Sequence, residues 1–244
     1  MQKYFISDDD FNNKKITSDD AFHISNVMRS KPNDSILIGN NGKTYLAVLK
    51  VITKTEVSFE IVKEETGNKE LPVFISIFQG YPKGDKLEDV IKYGTEYGVS
   101  EFVPTIMKRS IFKLDPKKKE SKIKRFNTIA KESSEQSYRS CLSYVSDIKY
   151  LKEIDFSSYN VKILCYEEDA KNNEVSNLKN TIKNLKPSDR VAIVIGPEGG
   201  VDDSEVSYLL SKGFIRCALG PRILRTEVAL YYVLSAISYE MELK

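Results

Sequence analysis

Apolar residues fall along this chain in two kinds of run. Continuous runs rich in β-branched residues occupy 72–78, 101–106, 161–166, 191–195 and 215–218. Such runs read as strands buried on both faces, the pattern of a parallel sheet covered by helices. Elsewhere the apolar positions spread to helical spacing. Leu87, Val90 and Ile91 do so within 83–99, and Val175, Leu178, Ile182 and Leu185 within 171–188. Val206, Leu209 and Leu210 follow Asp202, and Val228, Leu230, Tyr231, Leu234 and Ile237 lie within 226–241. Asp85, and Asp202 with Glu205, stand where N-caps belong, and Gly98 stands where a helix stops. The pattern predicts an α/β fold with a mostly parallel sheet.

The first 70 residues read differently. Short runs at 35–39, 44–49, 51–53 and 57–62 are separated by Asn33-Asp34, Asn40-Asn41-Gly42 and Lys54-Thr55-Glu56. Closely spaced strands with such turns predict a small barrel or meander, with a short helix over 19–28 packed on it. The polar stretch from Glu64 to Glu70 marks a boundary, so two domains are expected, 1–70 and 71–244.

Composition adds mostly exclusions. With 244 residues, 41% apolar and 30% charged, the chain can bury real cores and is neither disordered nor fibrous. A formal net charge of +2 is silent about partners. Between Lys108 and Arg139, however, eleven Lys or Arg stand against four acids. That is the footprint expected of a surface contacting phosphates, although a lysine run at a helix start also serves as a solvated face. Cys141, Cys165 and Cys217 are odd in number and far apart, so reduced thiols are expected and no metal centre. The first residues lack the apolar core of a signal peptide, and no run reaches the roughly 18 apolar residues that span a bilayer. A cytoplasmic location without membrane insertion is therefore expected. Gly80 and the residues after it lack the spacing of a triphosphate-binding loop.

The candidate chemistry gathers in two loops, each following a predicted strand: Gly196-Pro197-Glu198-Gly199-Gly200, and Leu219-Gly220-Pro221-Arg222-Ile223-Leu224-Arg225-Thr226-Glu227. Ligands of parallel sheets bind outside the carboxyl ends of the strands. Glycine there lets a backbone approach a ligand with no Cβ in the way. Gly-Pro and Gly-Gly also punctuate ordinary turns, but two such loops at one level of a sheet point to a site.

These loops resemble the signature loops of the SPOUT methyltransferases, specifically the 16S rRNA (uracil-N3)-methyltransferase family. Similar to that family are also His23, Val27 and Arg29; Lys83-Gly84-Asp85; Glu96 with Gly98-Val99; Arg109-Ser110; and Glu135-Gln136 with Arg139. Met28 and Tyr97 stand where the family has leucine, Ser143 where it has proline, and Val228 where it has threonine.

The resemblance implies a SPOUT-like mostly parallel sheet with a C-terminal trefoil knot, preceded by a small PUA-like β-barrel domain that contacts RNA. It implies S-adenosylmethionine as cofactor, held by Leu164, Ile195, Gly196, Gly200, Leu219, Gly220 and Leu224. RNA contacts are expected from Arg29, Lys83, Arg109, Gln136, Arg139 and Arg222, with Gln136 and Arg139 on one helical face or turn. The sole histidine, His23, reads as structural. The implied reaction is methylation of uracil N3 in 16S ribosomal RNA within the small subunit, by a homodimer built on the C-terminal helix. Arg225 is expected to stabilise the uracil oxygens, and Glu227 to orient Arg225 or take the N3 proton. Structural roles for both, with Glu227 capping the C-terminal helix, remain open at this point. Two other readings stand beside this one: a SPOUT enzyme acting on a ribose 2′-hydroxyl or a tRNA base, and a non-catalytic RNA-binding protein of the same fold.

Overall fold

The structure, a computed structural model, describes residues 1–112, 115–171, 174 and 176–243. Lys113 of the basic stretch and Val175 of the expected helical stripe lie outside the described residues. The chain divides into two compact units, Met1–Glu70 with Ser134–Leu142, and Leu71–Ser133 with Ser143–Lys244.

The first unit contains β1 (Lys3–Phe5), α1 (Asp8–Asn13), β2 (Lys15–Thr17), α2 (Ser18–Phe22), β3 (Ser35–Asn40), β4 (Lys43–Ile52) and β5 (Glu56–Glu65). The strands run in the order β1-β3-β4-β5-β2, with β1 parallel to β3 and the other pairs antiparallel. No pairing among the described residues joins β1 to β2, so the expected barrel is an open five-stranded ladder here. The runs 44–49 and 51–53 form one strand. An irregularity between Leu49 and Ile52 absorbs the break in alternation. α2 passes into a π-helical turn over His23–Val27, and the His23 ring bonds the Tyr4 hydroxyl through Nδ1 at 2.9 Å, a structural role.

Ser134–Leu142 belongs to this unit through specific bonds. The Phe5 N–H donates to Glu135 at 2.8 Å, and the Tyr138 hydroxyl donates to the Met1 carbonyl at 2.5 Å. The Lys3 ammonium donates to the Arg139 carbonyl. Arg139 itself is only 3% exposed and forms an ion pair with Glu70, whose carboxylate also accepts the N–H groups of Ser140 and Cys141 at 2.8 and 3.0 Å. Two expectations are corrected by this. The domain boundary at residue 70 omitted Ser134–Leu142, and Arg139 is a buried structural cation instead of an RNA contact.

The second unit contains β6 (Phe74–Gly80), α3 (Lys86–Glu96), β7 (Glu101–Ile106), α4 (Pro116–Gln136, its end in the first unit), β8 (Tyr144–Val145), β9 (Lys149–Tyr150), β10 (Val161–Cys165), α5 (Glu168–Lys171), α6 (Asn177–Lys183), β11 (Arg190–Ile195), α7 (Asp203–Ser211), β12 (Ile215–Cys217) and α8 (Thr226–Glu242). All pairings in the sheet are parallel, in the order β12-β10-β11-β6-β7-β8, with β9 also on β7. Side chains alternate along each strand. Val191, Ile193 and Ile195 therefore enter one core with α3 and α8, while Ala192 and Val194 enter another with Phe156, Leu209 and Phe214.

Details of the helices depart from expectation. The stripe predicted over 171–188 is carried by α6, with Leu178 and Ile182 buried and Leu185 buried beyond its end. Asp85 precedes α3 without a side-chain capping bond. Gln136 ends α4 and Tyr138 takes φ of +57°, so Gln136 and Arg139 do not share a helical face. The capping box at Asp202 and Glu205 forms as expected. Hydrogen bonds from Ser204 and Lys108 hold the Asp202 carboxyl down at about 2.

Candidate functional site

Three neighbouring parallel strands deliver the site. β11 ends in the loop 196–200, β12, at the sheet edge, ends in the loop that begins at Ala218, and β10, between the two, ends in Tyr166 and Glu167. A cavity of about 390 Å³ opens here, lined by residues of all three segments together with Lys86 and Ala229. That size falls within the range of small-molecule sites. Ile195, Leu219 and Leu224 give it apolar walls; Glu167, Glu198, Arg222 and Arg225 give it charge.

The first loop requires two bare positions. A Cβ on Gly80, at the end of β6, would collide with the backbone nitrogen of Pro197, so the loop can lie against β6 only above a glycine. Gly200 takes φ of +73°, the left-handed region that a side chain disfavours, and a Cβ there would also collide with Glu167 Oε1. A buried polar link then ties the two loops together. Gln79 Nε2 donates to Thr226 Oγ1 at 2.7 Å, and the Thr226 hydroxyl donates to the Gly196 carbonyl at 2.6 Å. Gln79 is fully buried and its Oε1 has no hydrogen-bond partner among the described residues, a desolvation cost carried beneath the loops.

Charge at the rim centres on Lys86. Its ammonium lies 3.0 Å from Glu198 Oε1 and 3.8 Å from Glu227 Oε2. Glu198 also accepts the Lys83 N–H at 3.1 Å. Burial raises the Glu198 carboxyl, but hydrogen bonds from its own amide, from Lys86 and from the Lys83 amide outweigh that, and it sits below the ordinary range. Arg109 donates from Nη1 to the Gly199 carbonyl at 3.1 Å, clasping the loop from the end of β7.

Of the residues expected to hold a cofactor, Ile195, Gly196, Gly200, Leu219, Gly220 and Leu224 line the cavity. Leu164 does not: it is fully buried in the opposite core, and the next residue, Cys165, lines the cavity in its place because side chains alternate across a strand. Of the expected RNA contacts in this unit, Arg222 lines the cavity, and Lys83 and Arg109 are exposed. Arg29 and Gln136 are exposed in the first unit. On α4, Lys117, Lys118 and Lys124 are exposed, whereas Arg125 pairs with Glu88 and Lys119 with Asp147.

Arg225 and Arg222 keep their guanidinium groups free of ion pairs among the described residues, and Glu227 has Lys86, not Arg225, as its partner. The expectation that Glu227 orients Arg225 is corrected accordingly. One carboxylate oxygen of Glu227, Oε2, is buried without a hydrogen bond among the described residues. Sequence reading missed Lys86, Gln79, Cys165 and Thr226 as site residues. For Lys86, the only signal was its place directly after Lys83-Gly84-Asp85.

Comparison with known proteins adds the following. A family described as RNA methyltransferase domain matches residues 69–238, and one described as RNA methyltransferase PUA domain matches residues 16–62. The chain is similar to ribosomal RNA small subunit methyltransferase E of Bacillus subtilis (strain 168), with 39% identity over 251 residues, covering 100% of this chain and 98% of that one. A protein of the same name from Mesomycoplasma hyopneumoniae (strain 232) is 30% identical over 239 residues, covering 96% and 98%. The fold is also similar to a crystal structure of a ribosomal RNA small subunit methyltransferase E from Neisseria gonorrhoeae bound to S-adenosyl methionine, with a TM-score of 0.80 at 26% identity and coverage of 98% and 97%.

Proposed function

The chain belongs to the family of RNA methyltransferases that carry a PUA domain, and on that premise we propose that it methylates N3 of a uracil in the 16S RNA of the small ribosomal subunit, with S-adenosylmethionine as donor. The observation that carries this reading is the cavity walled by both glycine loops at the carboxyl edge of a parallel sheet. Its apolar walls suit an adenine, and its size suits a nucleoside bearing an amino-acid tail. A relative of the same fold was crystallised with this donor. Further parts of the proposal are a trefoil knot closed by the C-terminal segment, a homodimer, and action in the cytoplasm. The strand order β12-β10-β11 supports the first, since the last strand returns to the far side of β10. Exposed Tyr232 and Tyr239 on α8 support the second. No described helix is long and apolar enough to cross a membrane.

S-adenosylmethionine, when bound, supplies an electrophilic methyl group. Ile195, Leu219 and Leu224 would hold its base, while main-chain atoms of Gly196, Gly200 and Gly220 could approach it without intervening side chains. Uracil N3 must lose its proton to become a nucleophile, and negative charge then spreads to the two ring oxygens. Arg225, free of other partners among the described residues, can meet that charge at the cavity wall, with Arg222 beside it. Glu227 Oε2, which accepts no hydrogen bond among the described residues, can take the proton, and the Lys86 ammonium 3.8 Å from that oxygen compensates its charge beforehand. N3 lies within the Watson–Crick edge, so the target base must be unpaired or turned out of its stack. Arg29, Gln136, Lys83, Arg109 and the α4 lysines are the exposed groups proposed to hold the surrounding RNA.

The test is nucleoside mass spectrometry of 16S RNA from a deletion strain complemented by variants. Loss of N3-methyluridine on deletion and its return with the wild-type gene are expected. Arg225→Ala and Glu227→Gln are expected to lower turnover about 100-fold, the loss typical of removing one such group, while calorimetry still detects donor binding. A modified ribose or a tRNA base disappearing instead would favour another acceptor, and unaltered turnover of both variants would remove their proposed roles.

A further inference from the structure

We propose that Glu167 is a specificity-determining residue of the cofactor cavity and that its carboxylate accepts hydrogen bonds from the ribose hydroxyls of the bound nucleoside. The inference rests on the cofactor reading above and goes beyond it by naming a side chain for the sugar.

Topology carries the first step. Glu167 stands two residues past the end of β10, and β10 pairs in parallel with β11, in register from Val161↔Val191 to Cys165↔Ile195. An acid at the carboxyl end of one parallel strand thus faces a glycine loop at the end of its neighbour. Dinucleotide sites in open α/β sheets solve ribose recognition with the same two parts, a glycine loop near the phosphates and a nearby acid on the 2′-hydroxyl. Here the glycine loop is Gly196–Gly200.

Availability carries the second step. The other carboxylate that lines this cavity, Glu198, is engaged by Lys86 and the Lys83 amide, and Glu227, outside the lining, has Lys86 as its ion-pair partner. Among the described residues no hydrogen bond or ion pair holds Glu167, although Arg109 and Arg216 share a second, polar cavity with it. A carboxylate accepts only, with room for two donors, and a vicinal diol offers two donors. Placement is fixed as well: the carboxylate lies against the bare Cα of Gly200, which a Cβ would displace.

Chemistry carries the third step. Ile195, Leu219 and Leu224 form the apolar walls that a purine needs, and the first polar group joined to that purine is the ribose. Ligand choice separates this role from an ion pair between Glu167 and the sulfonium. S-adenosylhomocysteine keeps the ribose and lacks the sulfonium.

The experiment is calorimetry of S-adenosylhomocysteine and of its 2′-deoxy and 3′-deoxy analogues with wild-type protein, Glu167→Ala and Glu167→Gln. Wild-type protein is expected to lose about 10- to 100-fold in affinity for at least one deoxy analogue, the range for a hydrogen bond to a charged group. Glu167→Ala is expected to lose a similar factor with S-adenosylhomocysteine and less than about twofold more when that hydroxyl is removed, because the two changes delete one interaction. Glu167→Gln, which keeps the shape and one acceptor oxygen, should fall between them. Binding of S-adenosylhomocysteine to Glu167→Ala within about twofold of wild type, or losses that multiply across the cycle, would overturn the assignment. Wild-type protein that fails to bind S-adenosylhomocysteine at all would overturn the cofactor reading itself, and the role of Glu167 with it.

Discussion

At the scale of single residues, the chain uses a motif-like arginine for support. Arg139 is buried, its guanidinium held by Glu70, and the same carboxylate gathers the amides of Ser140 and Cys141. Breaking a buried pair leaves one charge uncompensated, which costs about 3 kcal/mol or more. Arg139→Met is therefore expected to lower unfolding stability by about 3 kcal/mol in urea, with Arg139→Lys recovering part of it. An RNA contact would behave otherwise. Stability within about 0.5 kcal/mol of wild type, combined with weakened RNA binding, would return Arg139 to the interface.

At the scale of elements, β1 shows what burial does to a charge. Lys3 is 2% exposed, and its ammonium donates to Thr44 Oγ1 at 2.7 Å and to the Arg139 carbonyl. Burial pulls it down to about 8, with Glu70, Cys141 and Glu135 pulling the other way. Below pH 8 both folded and unfolded chains carry this proton, so the penalty of the buried charge is present in full. Between pH 8 and the unperturbed value of 10.5 the unfolded chain binds more protons, and stability from this group rises with pH. Buried Tyr4 and Cys165 are shifted upward by burial and work in the opposite direction at alkaline pH. The informative quantity is therefore the difference between wild type and Lys3→Met. In paired denaturant titrations wild type should gain on the variant from pH 8 to 10.5; a flat difference would mean that Lys3 is solvated.

At the scale of the whole molecule, α3 and α8 present aromatic surface that the second unit does not cover. Tyr93, Glu96, Tyr97 and Tyr231 line a depression, with Tyr93 and Tyr231 edge to face at 5.8 Å, and Tyr232 and Tyr239 stand exposed further along α8. Exposed apolar patches of this kind mark association surfaces. Sedimentation of the wild type is expected to give a dimer at micromolar concentration, and Tyr232→Glu a monomer that keeps its melting temperature. A wild type that sediments as a monomer would remove the proposed homodimer.

What was legible beforehand was local. β7 over Glu101–Ile106, the capping box at Asp202 and Glu205, and the two loops after β11 and β12 could be read from run length, turn chemistry and glycine, because those signals depend on neighbours within a few residues. The parallel character of the sheet followed from the same apolar runs. Pairings between distant residues were not legible. Arg139 meets Glu70, Lys86 meets Glu198, and Gln79 meets Thr226 across 69, 112 and 147 residues. Which face a residue takes was equally hidden: Leu164 and Cys165 are both apolar in an unbroken run, and only packing decided that the second one reaches the cavity. In a strand buried on both faces, alternation carries no polar mark, so the sequence by itself determined the strands and loops, and the tertiary structure alone decided which side chains converge on the site.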